Sequence, residues 1–265
     1  MWNGKKVSVA LPTYNEKDSI YECIQGFFAS GVVDEVIVCN NNAAPGTSEE
    51  VARTKAIEVF EPRQGYGYSC QRALAEATGD LIVLSEPDGS FEPADVFKLL
   101  AYSTDFDVVL GSRTNRELIW TGANMGWFMK WGNWAVGKFV EFIFNTTTIS
   151  DVGCTMRLVS RPVLETITPH FTIGGSHFGP EMMLLCIRSK ASIVEIPMNY
   201  LPRVGMSMVT GNRWVAFLLG LRMIELISRF RLRTLMGKGP AIKQFAQKNP
   251  RRFAKPSLVT PSSSE

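Results

Sequence analysis

Short apolar runs alternate with amphipathic stretches through the first half of the chain. "KVSVALP" reads as a strand. After it, Ile20, Cys23, Ile24, Phe27 and Phe28 fall at i, i+3, i+4, i+7 and i+8, one face of a helix, and Gly31 stands where such a helix ends. "DEVIVC" is a second strand. "GTSEEVART" opens a helix with Thr47 or Ser48 as its cap and acids in its first turn. "AIEVFE" is a third strand, and Cys70, Ala73, Leu74 and Ala77 repeat the helical spacing before Gly79. "DLIVLS" and "FDVVLG" are further strands with "ADVFKLLAY" helical between them. Later, "ASIVEIPMNYL" reads as a strand and "RWVAFLLGLRMIELISRFRLRTLMG" as a long helix.

Strand–helix–strand alternation with continuous apolar strands implies an α/β fold whose parallel sheet is covered on both faces. Ligands of such sheets sit beyond the carboxyl ends of the strands. The loops there are "PTYNE", "NNNAAPG", "PRQGYG", "SEPDGS" and "GSRTNR". All are polar and rich in Gly, Pro and Asn, so together they predict a pocket for a phosphorylated small molecule.

Composition sharpens the second half. The 265 residues carry a net charge of +3, but from Leu226 to Ser264 there are nine bases and no acid. That asymmetry predicts an anionic partner. A nucleic acid would fit the charge, but no nucleic-acid motif accompanies it, so none is expected. Residues 118–144 hold four of the six tryptophans. The long helix is apolar around most of its circumference, with Arg222, Glu225, Arg229 and Arg233 on one stripe. An anionic membrane surface, met by an interfacial helix, is the partner this composition favours. No run approaches the roughly 18 apolar residues of a membrane span, and the N-terminus has no signal-peptide core. The five scattered cysteines form no CxxC pair and read as reduced core residues. The expected location is cytoplasmic, peripheral to the cytoplasmic face of a membrane. The Pro/Ser-rich stretch from Pro250 reads as disordered.

"LSEPDGSF" carries the candidate chemistry. Glu86 and Asp88 flank Pro87 and precede Gly89. Alone this is an acidic turn. Beside the other strand-end loops, its two carboxylates could converge on a hard divalent ion that shares its remaining positions with substrate phosphates.

"LPTYNE", "EVIVCNNNAAPGT", "RQGYG" and "DLIVLSEPDGS", followed by "VVLGSR", "SDVGCTMRLVSR" and "IVEIPMNYLPRVGMS", form an ordered series over about residues 5–210. This series resembles the family-2 glycosyltransferases of the GT-A fold, and within them the polyprenyl-phosphate (dolichyl-phosphate) sugar synthases. The resemblance implies a Rossmann-like, mainly parallel central sheet flanked by helices, here with a C-terminal amphipathic helix. It implies a nucleotide-diphosphate sugar donor (GDP- or UDP-sugar) contacted by Pro12, Tyr14, Glu16, Asn40, Gly65 and Glu86. It implies Mg²⁺ or Mn²⁺ on Glu86 and Asp88, with Asp88 the safer ligand and counted as catalytic through the metal, and transfer with inversion. Glu86 stands where the family pattern has Asp, Asn40 and Asn41 replace acids, Pro45 replaces an Asp, and Met208 replaces a Lys.

A lipid-phosphate acceptor is already ionised and needs positive charge rather than a base. Arg113, Arg116, Arg203 and Ser207 are the acceptor-binding candidates. A glycan or other hydroxyl acceptor would need a carboxylate base, for which Asp151 and Glu181 are candidates. A non-catalytic scaffold is a third reading, which the retained acids disfavour. The expected organisation is a transferase domain over 1–210, with a nucleotide-sugar half (1–112) and an acceptor half (113–210). A basic helical extension (211–248) and a disordered tail (249–265) follow.

Overall fold

The computed structural model describes residues 1–123, 126–205 and 213–245. The strands are β1 (Val7–Thr13), β2 (Glu35–Asn40), β3 (Ile57–Phe60), β4 (Leu81–Leu84), β5 (Val108–Ser112), β6 (Arg157–Ser160) and β7 (Ile193–Pro197). The helices are α1 (Lys17–Ala29), α2 (Thr47–Ala52), α3 (Tyr66–Glu76), α4 (Val96–Tyr102), α5 (Trp127–Phe144), α6 (Arg161–Ile167), α7 (Phe178–Arg188) and α8 (Arg213–Leu235).

The strands make one seven-stranded sheet in the order β3-β2-β1-β4-β6-β5-β7. All neighbours are parallel except β6, which runs antiparallel to both β4 and β5. The sheet is thus mainly parallel, as expected, with one reversed strand that the apolar pattern did not announce. β6 is only the four residues "RLVS", too short to show a period. Its register sets Arg157 beside Leu84 and Leu110, so β6 begins where β4 and β5 end.

Two cores flank the sheet. Ala10, Ile37, Ile82, Leu84 and Leu110 face one that includes side chains of α3, α5, α6, α7 and α8. Val7, Val9, Leu11 and Val83 face the other, built with α1 and α4. Alternating strand residues feed alternate cores, which is why these strands read as unbroken apolar runs. β3 is an edge strand, and Ile57 and Phe60 are exposed.

Two expectations change in detail. Gly46, not Thr47 or Ser48, caps α2. Thr47 Oγ1 instead donates to Ala44 O and Ser48 Oγ to Glu58, which removes both hydroxyls from the helix end. The C-terminal helix stops at Leu235, and the described residues beyond Gly237 are not helical. The basic tail beyond Phe245 lies outside the described residues.

The start of α3 is fixed by a backbone-to-backbone approach. Gly67 N donates to Gly174 O at 2.9 Å. A Cβ on Gly67 would lie 2.3 Å from Ile173 O, so only glycine allows the contact. Because the 173–176 loop then continues into the ligand cavity described below, this contact positions part of the site. Gly67→Ala is expected to lower stability by about 1–3 kcal/mol, the usual range for overpacking, read as a lower urea midpoint with an unchanged slope.

Candidate active site

A cavity of about 460 Å³ lies at the carboxyl ends of the parallel strands. Each of the five strand ends contributes to it: Pro12 and Thr13 of β1 with Tyr14 to Glu16 after it, Asn41 after β2, Gln64 and Gly65 after β3, Glu86 to Asp88 after β4, and Arg113 after β5. The opposite wall comes from residues 152–157, the start of α7, and Met129, Asn133, Leu219 and Met223 of α5 and α8.

The acids form a cluster around one guanidinium. Arg203 Nη1 lies 2.8 Å from Asp88 Oδ2 and 3.9 Å from Glu86 Oε2, and Nη2 lies 2.9 Å from Glu16 Oε1. Asp88 Oδ1 accepts from Ser90 N. Gly89, at φ +75°, turns the chain here, and Val204 N donates to Asp88 O at 2.8 Å. Glu16 Oε2 accepts from the backbone N–H groups of Tyr14 and Asn15, shaping the first loop. Desolvation, and then the charge of Asp88, raise the Glu86 pKa to about 8. Its remaining exposure is to a cavity rather than to bulk water, so desolvation still dominates.

Arg203 therefore serves as a test of fit for a metal: a cation already sits between Glu86 and Asp88. Among the described residues no group of three or more His, Cys, Asp or Glu side chains could hold a metal by itself. Two carboxylates completed by diphosphate oxygens and water would suit Mg²⁺ or Mn²⁺, which accept such mixed oxygen shells.

The asparagines that replace the family's acids have local reasons. Asn41 Nδ2 donates to Glu61 O and Arg63 O, while Oδ1 accepts from Gly65 N. An aspartate has no donor for those two carbonyls. Asn40 Nδ2 donates to Ser48 Oγ and Glu58 Oε1. Its side chain is spent there and does not line the cavity, so Asn41, not the expected Asn40, is the wall residue.

The acceptor candidates separate. Arg113 lines the cavity but is neutralised by Asp151, with Nε to Oδ2 at 2.8 Å and Nη2 to Oδ1 at 2.9 Å. Asp151 Oδ2 also accepts from Arg113 N, and the loop before it is held by Glu195, which accepts from Ser150 N and Asp151 N. Asp151, the candidate base for a hydroxyl acceptor, is not on the cavity wall, and its carboxylate is held on Arg113. Glu181, the other candidate base, is placed similarly. It accepts from Thr172 N and Ile173 N, clamping the 171–175 loop, and is not on the cavity wall. Arg116 is exposed on a 3-10 turn and also lies off the wall. Ser207 and Met208 lie outside the described residues. Pro12, Tyr14, Glu16, Gly65, Glu86, Asp88, Arg113 and Arg203 all line the one cavity.

Sequence reasoning missed Asn133, Thr155 and Arg157 on the opposite wall. Arg157 opens β6 in "TMRLVS", a segment too short to show a period. Its only available signal was a charge inside an apolar run.

Two outcomes follow. A divalent ion held by Glu86 would need that carboxylate ionised, so Mn²⁺ affinity of the nucleotide-free protein is expected to rise with pH through the raised Glu86 pKa of about 8. Free-Mn²⁺ electron paramagnetic resonance reads this, and Glu86→Gln should flatten the profile. Asp151→Ala should cost about 3–5 kcal/mol in chemical denaturation, because it strands a buried guanidinium. A full-stability variant with lost turnover would instead restore Asp151 as a base.

Residues 8–168 match the family described as Glycosyl transferase family 2. The chain is 31% identical over 223 residues to the low-salt glycan biosynthesis hexosyltransferase Agl6 of Haloferax volcanii, covering 80% of this chain and 53% of that one. It is 26% identical over 178 residues to an undecaprenyl-phosphate 4-deoxy-4-formamido-L-arabinose transferase of Salmonella paratyphi A, covering 62% and 51%. The chain thus spans about half the length of these curated relatives. In fold it is similar to glucosyl-3-phosphoglycerate synthase from Mycobacterium tuberculosis, solved with Mn²⁺, UDP and glucosyl-3-phosphoglycerate. That match has a TM-score of 0.62 and 18% identity and covers 89% of this chain and 81% of that one. The motif order, the mainly parallel sheet and the family match over most of the sheet agree: the chain belongs to glycosyl transferase family 2.

Proposed function

We propose that this protein transfers a hexose, with inversion, from a GDP- or UDP-sugar to a polyprenyl phosphate at a membrane surface. The observation that carries the reading is one cavity joining two kinds of wall. Glu86 and Asp88 stand at the strand ends, and an arginine-bearing wall with apolar side chains of α5 and α8 faces them. The undecaprenyl-phosphate transferase among the relatives supports a lipid phosphate as acceptor.

The loops after β1, β2 and β3 would hold the nucleotide, with Tyr14 and Asn41 on the wall and Glu16 fixing the first loop. Held by Glu86 and Asp88, Mg²⁺ or Mn²⁺ would supply Lewis-acid charge compensation to the departing diphosphate. Arg203, held on Asp88 and Glu16, would add positive charge beside a diphosphate bound there. An acceptor phosphate oxygen forms the new bond to the sugar C1. The C1–O bond to the diphosphate breaks, and its electron pair leaves with the nucleoside diphosphate. No proton is removed from the acceptor. That agrees with a cavity whose two candidate bases, Asp151 and Glu181, are spent on structural bonds.

Membrane association follows from the outer face of the same helices. Trp127, Trp131, Trp134 and Phe142 of α5 are exposed, as are Phe217, Leu218, Leu221 and Ile224 of α8. Such a surface far exceeds scattered single exposures. No described helix is long and apolar enough to cross a membrane, so the helix pair would lie in the interface, with Arg229 and Arg233 on its polar side.

The test is radiolabel transfer from nucleotide sugars into a lipid extract with Mn²⁺. Organic-phase label is expected with one donor, and Asp88→Ala should reduce it at least ~100-fold, the scale of losing transition-state charge stabilisation. Label on a soluble glycan alone would move the acceptor to a hydroxyl. Full activity in Asp88→Ala would remove the metal site.

A further inference from the structure

Among the described residues, three arginines line the cavity: Arg113, Arg157 and Arg203. Arg113 is matched by Asp151, and Arg203 by Asp88 and Glu16. Arg157 has no acid partner among the described residues. It is 4% exposed. Nη1 donates to Gly179 O at 2.8 Å and Nη2 to Cys154 O, while buried Nε has no partner. A guanidinium carries five N–H donors, and two bonds to neutral carbonyls do not balance its charge. A buried cation left in that state is costly.

Two more orphans stand on the same wall. Thr155 Oγ1 and Asn133 Nδ2 are buried without a hydrogen-bond partner, and both residues line the cavity. Gly175 and Ser176, just before α7, and Gly179 in its first turn join them. α7 is an 11-residue helix whose cap residue, His177, makes no side-chain cap bond. Of its first-turn amides, Phe178 N donates to Gly175 O and Pro180 has none, so the N-terminus offers Gly179 N and the positive end of its dipole. A cation, a hydroxyl, an amide and a helix N-terminus all ask for oxygen acceptors and net negative charge. A carboxylate offers two oxygens to this set, whereas a phosphate monoester offers three and carries more charge.

The sheet places this wall. Arg157 pairs with Leu84, two residues before Glu86. The orphan donors are therefore in the same cavity as the acid cluster, but on the α7 side of the sheet. We propose that Arg157, Thr155, Asn133 and the first turn of α7 form a subsite for a phosphate monoester, and that it holds the phosphate of the acceptor rather than the diphosphate of the donor. The acceptor assignment rests on the proposed transferase function; the subsite rests on the unmatched donors alone.

Calorimetric titrations of wild type, Arg157→Gln, Arg157→Lys and Thr155→Val test it, with citronellyl phosphate, glycerol 3-phosphate, and UDP or GDP plus Mn²⁺ as ligands. Arg157→Gln should weaken citronellyl phosphate on the order of 10- to 100-fold, the range for losing charged hydrogen bonds, and Thr155→Val about 2- to 10-fold. Arg157→Lys should recover part of the affinity. Nucleotide binding should stay within about twofold, because its wall is the acid side. Thr155 Oγ1 has no partner to lose, so Thr155→Val should keep its melting temperature and remains informative if Arg157→Gln folds poorly. Unchanged citronellyl phosphate binding in both variants, or a loss confined to the nucleotide, would overturn the assignment. So would a wild type that binds no phosphate monoester. Binding of glycerol 3-phosphate but not citronellyl phosphate, with the same Arg157→Gln loss, would keep the subsite and refute the lipid acceptor.

Discussion

Three carboxylates converge where β1 and β4 end, and one guanidinium allows it. Glu16, Glu86 and Asp88 would repel one another without Arg203 between them. Like charges at such range either find a cation or lose ionisation, and Glu86 does some of both. The same arginine ties the segment after β7 to the strand ends, a tie reinforced by Val204 N on Asp88 O and Leu201 N on Ser90 O. Shape and charge are therefore set together. A divalent ion held by Glu86 and Asp88 would share Asp88 with Arg203, the residue that balances the acid cluster.

The rest of the cavity is organised by what is already paired. Arg113 looks like a substrate contact until Asp151 is seen holding both its Nε and Nη2. Glu195 supports that loop in turn, so the pair belongs to the frame. Glu181 has the same standing: its carboxylate organises backbone, and its burial raises its pKa rather than preparing it as an exposed base. Removing framework charges from consideration leaves Arg157 as the cation without an acid, and that subtraction identifies a functional wall.

The β-strand half of the fold was legible because strands covered on both faces need unbroken apolar runs, and loops at a ligand edge need Gly, Pro and Asn. The acidic motif was legible for the same reason, since its position in the alternation gave it meaning. β6 was not. Four residues carry no period, and strand direction leaves no mark on composition, yet reversing that strand is what brings Arg157 to the cavity. Asn40 and Asn41 were seen as departures from acids, but sequence order could not say which amide faces the ligand. The answer depends on Glu58 and on the Glu61 and Arg63 carbonyls, brought in from β3 and the loop after it.

The helix pair α5 and α8 links the two ends of the proposed reaction. Its inner side puts Met129, Leu219 and Met223 on the cavity wall, and its outer side shows tryptophans and leucines to solvent. The two helices pack directly, with Phe144 against Phe230 at 6.1 Å between ring centroids. A phosphate on the Arg157 wall would therefore sit beneath apolar side chains whose helices continue to an apolar exterior. An acceptor with a charged head and a hydrocarbon chain satisfies both sides of that pair at once. A soluble phosphate would satisfy only the inner side and leave the outer aromatic face without a use. That difference, more than the basic charge of the chain, favours a lipid phosphate over a small polar acceptor.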